Sequence, residues 1–167
     1  MTKIPSWIER TFDFDFPVTL YPNILARLRG TPARLEDAVR GLSREQLIAA
    51  PDGKWSIQEN AGHLLDEEGL FARRLSAYLV GAETLPPAHY LDIKLTHNDG
   101  DIAKILSDFR AVRGQQVEQL TNLDPGDFAR SAWHPRLKVA MRLVDHLLFV
   151  AEHDDHHLAR IWELRRS

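Results

Sequence analysis

The sequence predicts an all-α protein: an antiparallel four-helix bundle with an N-terminal extension. Four segments carry apolar side chains at helical spacing, and capping or turn residues bound most of them. No alternating apolar run is long enough to predict a sheet. Helices joined by connections of moderate length pack antiparallel, so we expect a bundle. Its 167 residues predict a single domain over 1–167, in which residues 1–17 form the N-terminal arm.

The N-terminal arm is defined by Phe12, Phe14 and Phe16, which alternate with aspartates. Such alternation is typical of a strand, but no partner strand is evident. We therefore expect an extended arm that packs its aromatic rings on the body of the protein.

The first helical region falls within residues 18–50. It is interrupted near Gly30, where Thr31 suits an N-cap and Pro32 suits the first helical position. A helix is therefore predicted to restart there. Gly41 then predicts a stop, followed by a short helical turn that Ser43 caps.

The other three helices have clearer signals. Ser56 with Glu59 three residues later forms a capping box, and the helix that it starts ends before Gly81. Residues 86–98 are predicted to be a loop, in which Tyr90, like Trp133 and His134 in the later connection, would either cover the mouth of a functional site or merely pack. The third helix is predicted from near Asp99 or Asp101 to Thr121, and the last over about 137–165, after a connection at 127–136.

Composition narrows the function classes. The net charge of -3 and pI of about 6.2 give no reason to expect nucleic acid or an anionic membrane as partner. The absence of cysteine excludes disulfides, a cysteine nucleophile and thiolate metal ligands, and fits a cytoplasmic location. The N-terminus shows no apolar signal region, and no apolar run has the length of a membrane span.

A cluster of histidines gives the strongest functional signal. His153 and His157 lie four residues apart in the last predicted helix, so their azimuths differ by only about 40°. His156 could replace His157 but not easily join both. The best third ligand is His63, in the middle of an apolar stripe. Three imidazoles suit zinc, nickel, copper or iron, and open positions on the ion are typical of a catalytic site.

The remaining histidines receive less specific interpretations. His146 lies two turns before His153, too far to share one ion with His157, and is predicted to be a core or cavity residue. His89, His97 and His134 are predicted to lie on the surface. The pattern His-Asp-x-x-His at 153–157 is close to the zinc-protease pattern, but aspartate is short and points away, so the protease interpretation is disfavoured.

Carboxylates are expected near the candidate ligands, because metal-bound imidazoles usually donate their second N–H to a carboxylate or carbonyl. The nearest candidates along the chain are Asp66, Glu67 and Asp154. We predict that one of them supports the site.

Several segments together resemble the DinB family, which includes the YfiT-like metal-dependent hydrolases. They are Lys54–Glu59 leading into Gly62–Leu64, then Phe109–Arg113, and His153–Ile161, in which Arg160 stands where the family usually has glutamine. The resemblance covers roughly residues 20–166. It implies an up-down-up-down bundle, often dimeric, with nickel or zinc on His63, His153 and His157, and it leaves His156 as a neighbour.

The resemblance leaves the reaction open. Some relatives resemble metal-dependent hydrolases, and others are thiol transferases or isomerases that use a low-molecular-weight thiol. The sequence therefore predicts one divalent ion, nickel or zinc, with a small thiol as an additional cofactor in one variant. The substrate is expected to be a small molecule and a homodimer is allowed. A non-enzymatic metal-binding or interaction module is the alternative to an enzyme.

Overall fold

The computed structural model describes residues 4–88 and 96–166. The predictions for His89 and Tyr90 lie outside the described residues. The helices are α1 Tyr21–Val39, α2 Arg44–Ile48, α3 Ile57–Leu79, α4 Ile102–Thr121 and α5 Leu143–Leu164. Two short strands, β1 Ser131–His134 and β2 Val139–Arg142, pair antiparallel before α5. The predicted all-α four-helix bundle is confirmed, with α2 as a short additional helix and the hairpin as a minor element.

The first and last long helices run in the same direction. Arg27 of α1 pairs with Glu152 at 2.5 Å, and farther along both helices Arg165 donates to the Ala38 carbonyl at 2.8 Å. Contacts therefore advance together along α1 and α5, as they do only between parallel helices.

Helices α3 and α4 are also parallel to each other. Gln58, near the start of α3, donates to the carbonyl of Gly100 just before α4, and Gln116 later in α4 donates to the carbonyl of Glu68. Helices α3 and α5 are antiparallel, because Tyr78 at the end of α3 donates to the carbonyl of Met141 just before the start of α5. The helix directions are thus up-down-down-up.

This order corrects the up-down-up-down order expected for the bundle. Residues 80–101 connect α3 to α4 and are long enough to run back along a helix of about 30 Å. The parallel pair is therefore sterically accessible to the chain.

Two local predictions were wrong. Helix α1 does not restart at Thr31, because it continues through Pro32. Proline lacks an N–H and so frees the carbonyl of Leu28, which instead accepts from Arg113 at 3.4 Å. The Thr31 hydroxyl donates to Asp154 at 2.8 Å rather than capping a helix.

The last helix begins at Leu143 and not near residue 137, because residues 131–142 form the hairpin. Lys138 makes its turn with a φ of 56°. Strands of four residues carry too little periodicity to be recognised in the sequence. Contacts with a distant part of the sequence stabilise this hairpin. The Trp133 amide donates to the Glu83 carbonyl, and the Trp133 carbonyl accepts from the Leu85 amide.

The predicted helix caps were confirmed, whereas the predicted loop at 86–98 lies mostly outside the described residues. Ser56 and Glu59 form the capping box of α3, Ser43 caps α2, and Asp101 caps α4. Phe12, Phe14 and Phe16 of the arm pack against the core.

The core consists of two apolar clusters with a polar centre between them. One cluster includes Phe71, Leu75 and Leu147, and the other includes Leu35, Leu64 and Phe109. Among the described helices, none is long and apolar enough to cross a membrane.

The polar centre is organised by Arg113 on α4, of which only 1% is exposed. Its guanidinium binds Glu68 of α3 at 2.6 Å and Asp154 of α5 at 2.5 Å. This buried network fixes α3 and α5 relative to each other next to His153.

Candidate metal centre

Three histidine side chains meet between α3 and α5. His153 Nε2 lies 3.3 Å from His63 Nε2 and 3.2 Å from His157 Nε2. Across residues 4–88 and 96–166 they are the one group of three or more ligand-type residues close enough to hold an ion. The structure thus brings together the three histidines that the sequence singled out.

The antiparallel helices α3 and α5 supply these side chains from facing sides. His63 comes from an interior turn of α3, and one turn of α5 separates His153 from His157. Aromatic rings flank them: Trp55 lies edge-on to His63 at 4.8 Å, and Trp7 of the arm lies edge-on to His153 at 5.0 Å.

Asn60 supports the triad, a role that the sequence analysis assigned to a carboxylate. Its Oδ1 lies 2.9 Å from His157 Nδ1, and its Nδ2 donates to the Ser56 carbonyl at 2.8 Å. Because the amide nitrogen is used by Ser56, the amide oxygen faces His157 and accepts its Nδ1–H. His157 Nε2 is then unprotonated and directed at His153.

The carboxylates named from the sequence have other partners. Asp66 is bonded to His97 at 2.7 Å, and Asp154 binds Arg113 and Thr31. Glu67 faces the adjoining cavity. The prediction that one of these three residues supports a histidine of the triad was wrong for His157, and Asn60 has that role. The sequence contained one signal for this role, since Asn60 lies one helical turn before His63.

Burial keeps the triad neutral. It lowers the pKa of His63 to about 4 and the pKa values of His153 and His157 well below the usual range. Neutral imidazoles present lone pairs, which is the state that binds a metal.

The spacing of the three nitrogens fits a divalent transition metal. Ligand nitrogens about 2.0–2.1 Å from a tetrahedral zinc ion lie roughly 3.4 Å apart. The two Nε2 distances of 3.3 and 3.2 Å are close to that value. With three ligands from the chain, further positions on such an ion would remain for a substrate.

His156 stays outside the triad. Its ring packs against Trp7 at 5.9 Å and stands perpendicular to His157 at 5.2 Å. The protease-like interpretation of residues 153–157 is wrong, because Asp154 is buried in its ion pair with Arg113 and cannot act as a base at the triad.

A cavity of about 210 Å³ adjoins the triad. Its lining includes Trp55, His63, Glu67, His146 and Phe149. A second concavity lies outside the triad and is lined by Ile4–Glu9 of the arm together with Trp55 and Arg160. His157 lines both concavities, so the triad adjoins each of them.

The predicted burial of the other histidines was confirmed for His146 and wrong for His134. His146 is buried and lines the cavity, as predicted. His134 was predicted to lie on the surface, yet it is fully buried in β1. His97 is partly buried, because its ring lies directly over Gly62, where even a Cβ atom would collide with it.

Replacing Asn60 tests its support of the triad. We expect Asn60→Ala to weaken metal binding by about 10–100-fold, because His157 loses the acceptor that fixes its ring and tautomer. The measurement is a competition titration with a chromophoric chelator. Gln116→Ala, which removes a buried amide away from the triad, is the matched control; equal affinities in both variants would contradict the assignment.

Comparisons with known proteins place this geometry in a family. A family model described as the DinB superfamily matches residues 27–161. "Putative metal-dependent hydrolase YfiT" of Bacillus subtilis (strain 168) is 28% identical over 145 residues, which are 83% of this chain and 80% of that protein.

A solved structure shares the fold. YfiT from Bacillus subtilis, described as a probable metal-dependent hydrolase with an unusual four-helix bundle topology, matches with a TM-score of 0.81 at 24% identity. The match covers 95% of this chain and 93% of that one. Since the family model spans most of the sequence, the chain belongs to the DinB superfamily.

Proposed function

We propose that the chain is a metal-dependent hydrolase that acts on a small molecule at a single divalent ion held by His63, His153 and His157. The close approach of three neutral Nε2 atoms beside a cavity carries this proposal. The description of YfiT as a metal-dependent hydrolase supports it, since the two chains are alike over most of their length. When bound, the ion would supply a Lewis acid that lowers the pKa of a water molecule or a thiol.

The cavity favours an enzyme over a metal-binding or interaction module. A module needs no space beside its ion, and a blocked or flat site would fit that alternative. Here the triad adjoins a cavity of about 210 Å³, with Trp7 and Trp55 beside it. This volume accommodates several water molecules or a small organic group.

Among the residues that the structure describes, Glu67 is the best-placed acid–base group. It follows His63 by one turn of α3 and lines the same cavity. Burial raises its pKa from the ordinary value of a glutamate, and the nearby Arg74 opposes that rise. A carboxylate with a raised pKa is suited to accept the proton of an attacking water molecule near neutral pH.

Replacing Glu67 by glutamine separates proton transfer from metal binding. We expect Glu67→Gln to retain the ion and to lower kcat by about 10²–10⁴-fold. In the wild type, activity should fall as the pH drops through the raised pKa of Glu67, because protonation removes the base. That acidic limb should be missing in the variant.

The matched control is Asp66→Asn, which neutralises the neighbouring carboxylate, an exposed partner of His97. If Glu67→Gln and Asp66→Asn gave the same kcat and pH profile, Glu67 would have no part in the reaction.

The reaction class is tested by screening. Esters, amides and thiol–electrophile pairs are incubated with the metal-loaded protein and with His153→Ala, and His156→Ala serves as the control. Hydrolysis that requires His153 but not His156 supports the proposal. Turnover of thiol pairs alone would make the chain a thiol transferase, and activity unchanged in His153→Ala would remove the metal from the reaction.

The sequence also made predictions about the native ion, a thiol cofactor, partners and location. Nickel or zinc as the native ion, a low-molecular-weight thiol, the homodimer, the cytoplasmic location and the absence of nucleic-acid binding stay predictions. Elemental analysis of the purified protein tests the first of them directly.

A further inference from the structure

The first part of the N-terminal arm lies beside the metal centre. The Trp7 ring packs edge-on to His153, with the ring centroids 5.0 Å apart, and it also contacts His156 at 5.9 Å. Trp7 and Ile8 belong to the lining of the cavity at the triad and also to the lining of the outer groove. This segment of the arm is therefore a wall that the two concavities share.

Residues 4–9 of the arm are weakly attached to the bundle. In the described part of the chain, their backbone groups form no hydrogen bond to the helices. Later residues of the arm are anchored, because Arg142 donates to the carbonyls of Phe14 and Phe16 at 2.8 and 3.0 Å. A segment with few backbone bonds to its surroundings opens at a low cost in free energy, so residues 4–9 can move while the rest of the arm stays in place.

One ion pair joins this segment to α5. Arg10 Nη2 lies 2.5 Å from the Glu152 carboxylate, and the guanidinium stacks over the Trp7 ring with Cζ 5.3 Å from its centroid. The side chains of the pair are 27% and 25% exposed, so dissolved salt can screen it. Because Glu152 directly precedes His153, the pair holds Trp7 in position at the triad.

The same carboxylate has a second partner. Arg27 of α1 binds the other oxygen of Glu152 at 2.5 Å. The contact between α1 and α5 therefore does not depend on Arg10, and loss of Arg10 would release the arm without separating the two helices.

We propose that residues 4–9 form a lid that controls access from the outer groove to the triad, held closed by the ion pair of Arg10 with Glu152 and by the Trp7 ring. When the ion pair breaks, Trp7 moves away from His153 and the groove becomes continuous with the cavity. A small-molecule substrate would enter by this route. The inference deepens the proposed function, on which it rests only for the identity of the triad as the reaction site.

The test is the rate at which diethyl pyrocarbonate modifies His63 and His157 in the metal-free protein, followed by peptide mass mapping. Only 7% of His63 and 6% of His157 are exposed, so the reagent should reach them slowly while the lid is closed. Arg10→Met keeps a side chain of similar length and should raise both rates by about tenfold, because it removes the ion pair and the stacking on Trp7.

Salt gives an independent readout of the ion pair. The wild-type rates should rise between about 0.1 M and about 1 M sodium chloride, because salt screens the attraction between Arg10 and Glu152. In Arg10→Met this dependence on salt should largely disappear. Wild-type rates that do not respond to salt would overturn the role of the ion pair.

Arg34→Met is the matched control. Arg34 binds a carboxylate of α5 that Arg27 also binds, which is the arrangement found for Arg10. The groups that Arg34 binds all lie on α1 and α5. This variant should therefore leave the modification rates of the triad unchanged.

His146 is the internal reference, because its ring nitrogens have almost no accessible surface. It should stay unmodified in every variant. Faster modification of His146 in Arg10→Met would indicate a general loosening of the bundle, and unchanged rates at His63 and His157 would show that the arm does not control access. Either result would overturn the lid.

A second variant guards against misfolding. Trp7→Ala keeps the ion pair but removes the ring that closes the lid, and it should raise the rates at least as much as Arg10→Met. If Arg10→Met lost its helical circular dichroism, wild-type rates in Trp7→Ala would still overturn the lid. Since the modification requires neither metal nor turnover, failure of this proposal is distinguishable from failure of the hydrolase proposal.

Discussion

His157→Ala is expected to lose stoichiometric metal, whereas His156→Ala keeps it. The two histidines are neighbours in α5, but only His157 directs Nε2 at His153, with its Nδ1 fixed by Asn60. His156 instead packs against Trp7. After dialysis, elemental analysis should find one ion per chain in the wild type and in His156→Ala, and far less than one in His157→Ala.

The pair of variants is its own control, because the same side chain is removed one residue apart. Circular dichroism should show full helicity in both. Equal metal content in the two variants would refute the ligand role of His157, and loss in both would mean that His156 also holds the ion.

Arg113→Met should be the most destabilising single substitution in the bundle centre, at about 3–5 kcal/mol. Glu68 and Asp154 would keep their buried positions but lose the cation that compensates them, and the Leu28 carbonyl would lose its donor. Burial already raises the pKa of Glu68 despite Arg113, which shows how poorly solvated that carboxylate is. Thermal denaturation should show a melting temperature lower by roughly 10 °C.

Arg110→Met is the matched control on the same helix. Arg110 also binds a carboxylate with two nitrogens, through Glu36 at 2.7 Å, but this pair lies on the surface. Exposed pairs contribute less than about 1 kcal/mol. Similar melting temperatures for the two variants would show that the buried network does not stabilise the fold.

The sequence predicted the features that depend on local chemistry. Helical periodicity and the capping box of Ser56 with Glu59 located α3, and the spacing of His153 and His157 identified one face of α5. These signals act within a few residues and survive any tertiary arrangement. The three histidines of the candidate site were found in this way.

Features that depend on distant contacts were missed. Thr31 and Pro32 look like a helix start, yet Asp154 and Arg113 satisfy the groups that would otherwise end the helix. His134 was placed on the surface because a short hairpin leaves no periodicity to recognise. The predicted up-down-up-down order of the helices was also wrong, because the order depends on which helix faces pack together and no single segment encodes it.

The role of α5 in both apolar clusters has a consequence for folding during synthesis. Helix α5 is made after α1 to α4 and contributes to both apolar clusters and, through Asp154, to the polar centre. At about 5–20 residues per second, the ribosome needs roughly 2–9 s to pass from the end of α4 to the end of α5. During that interval α1, α3 and α4 expose apolar faces that α5 later covers, so the nascent chain is open to aggregation at this stage of synthesis.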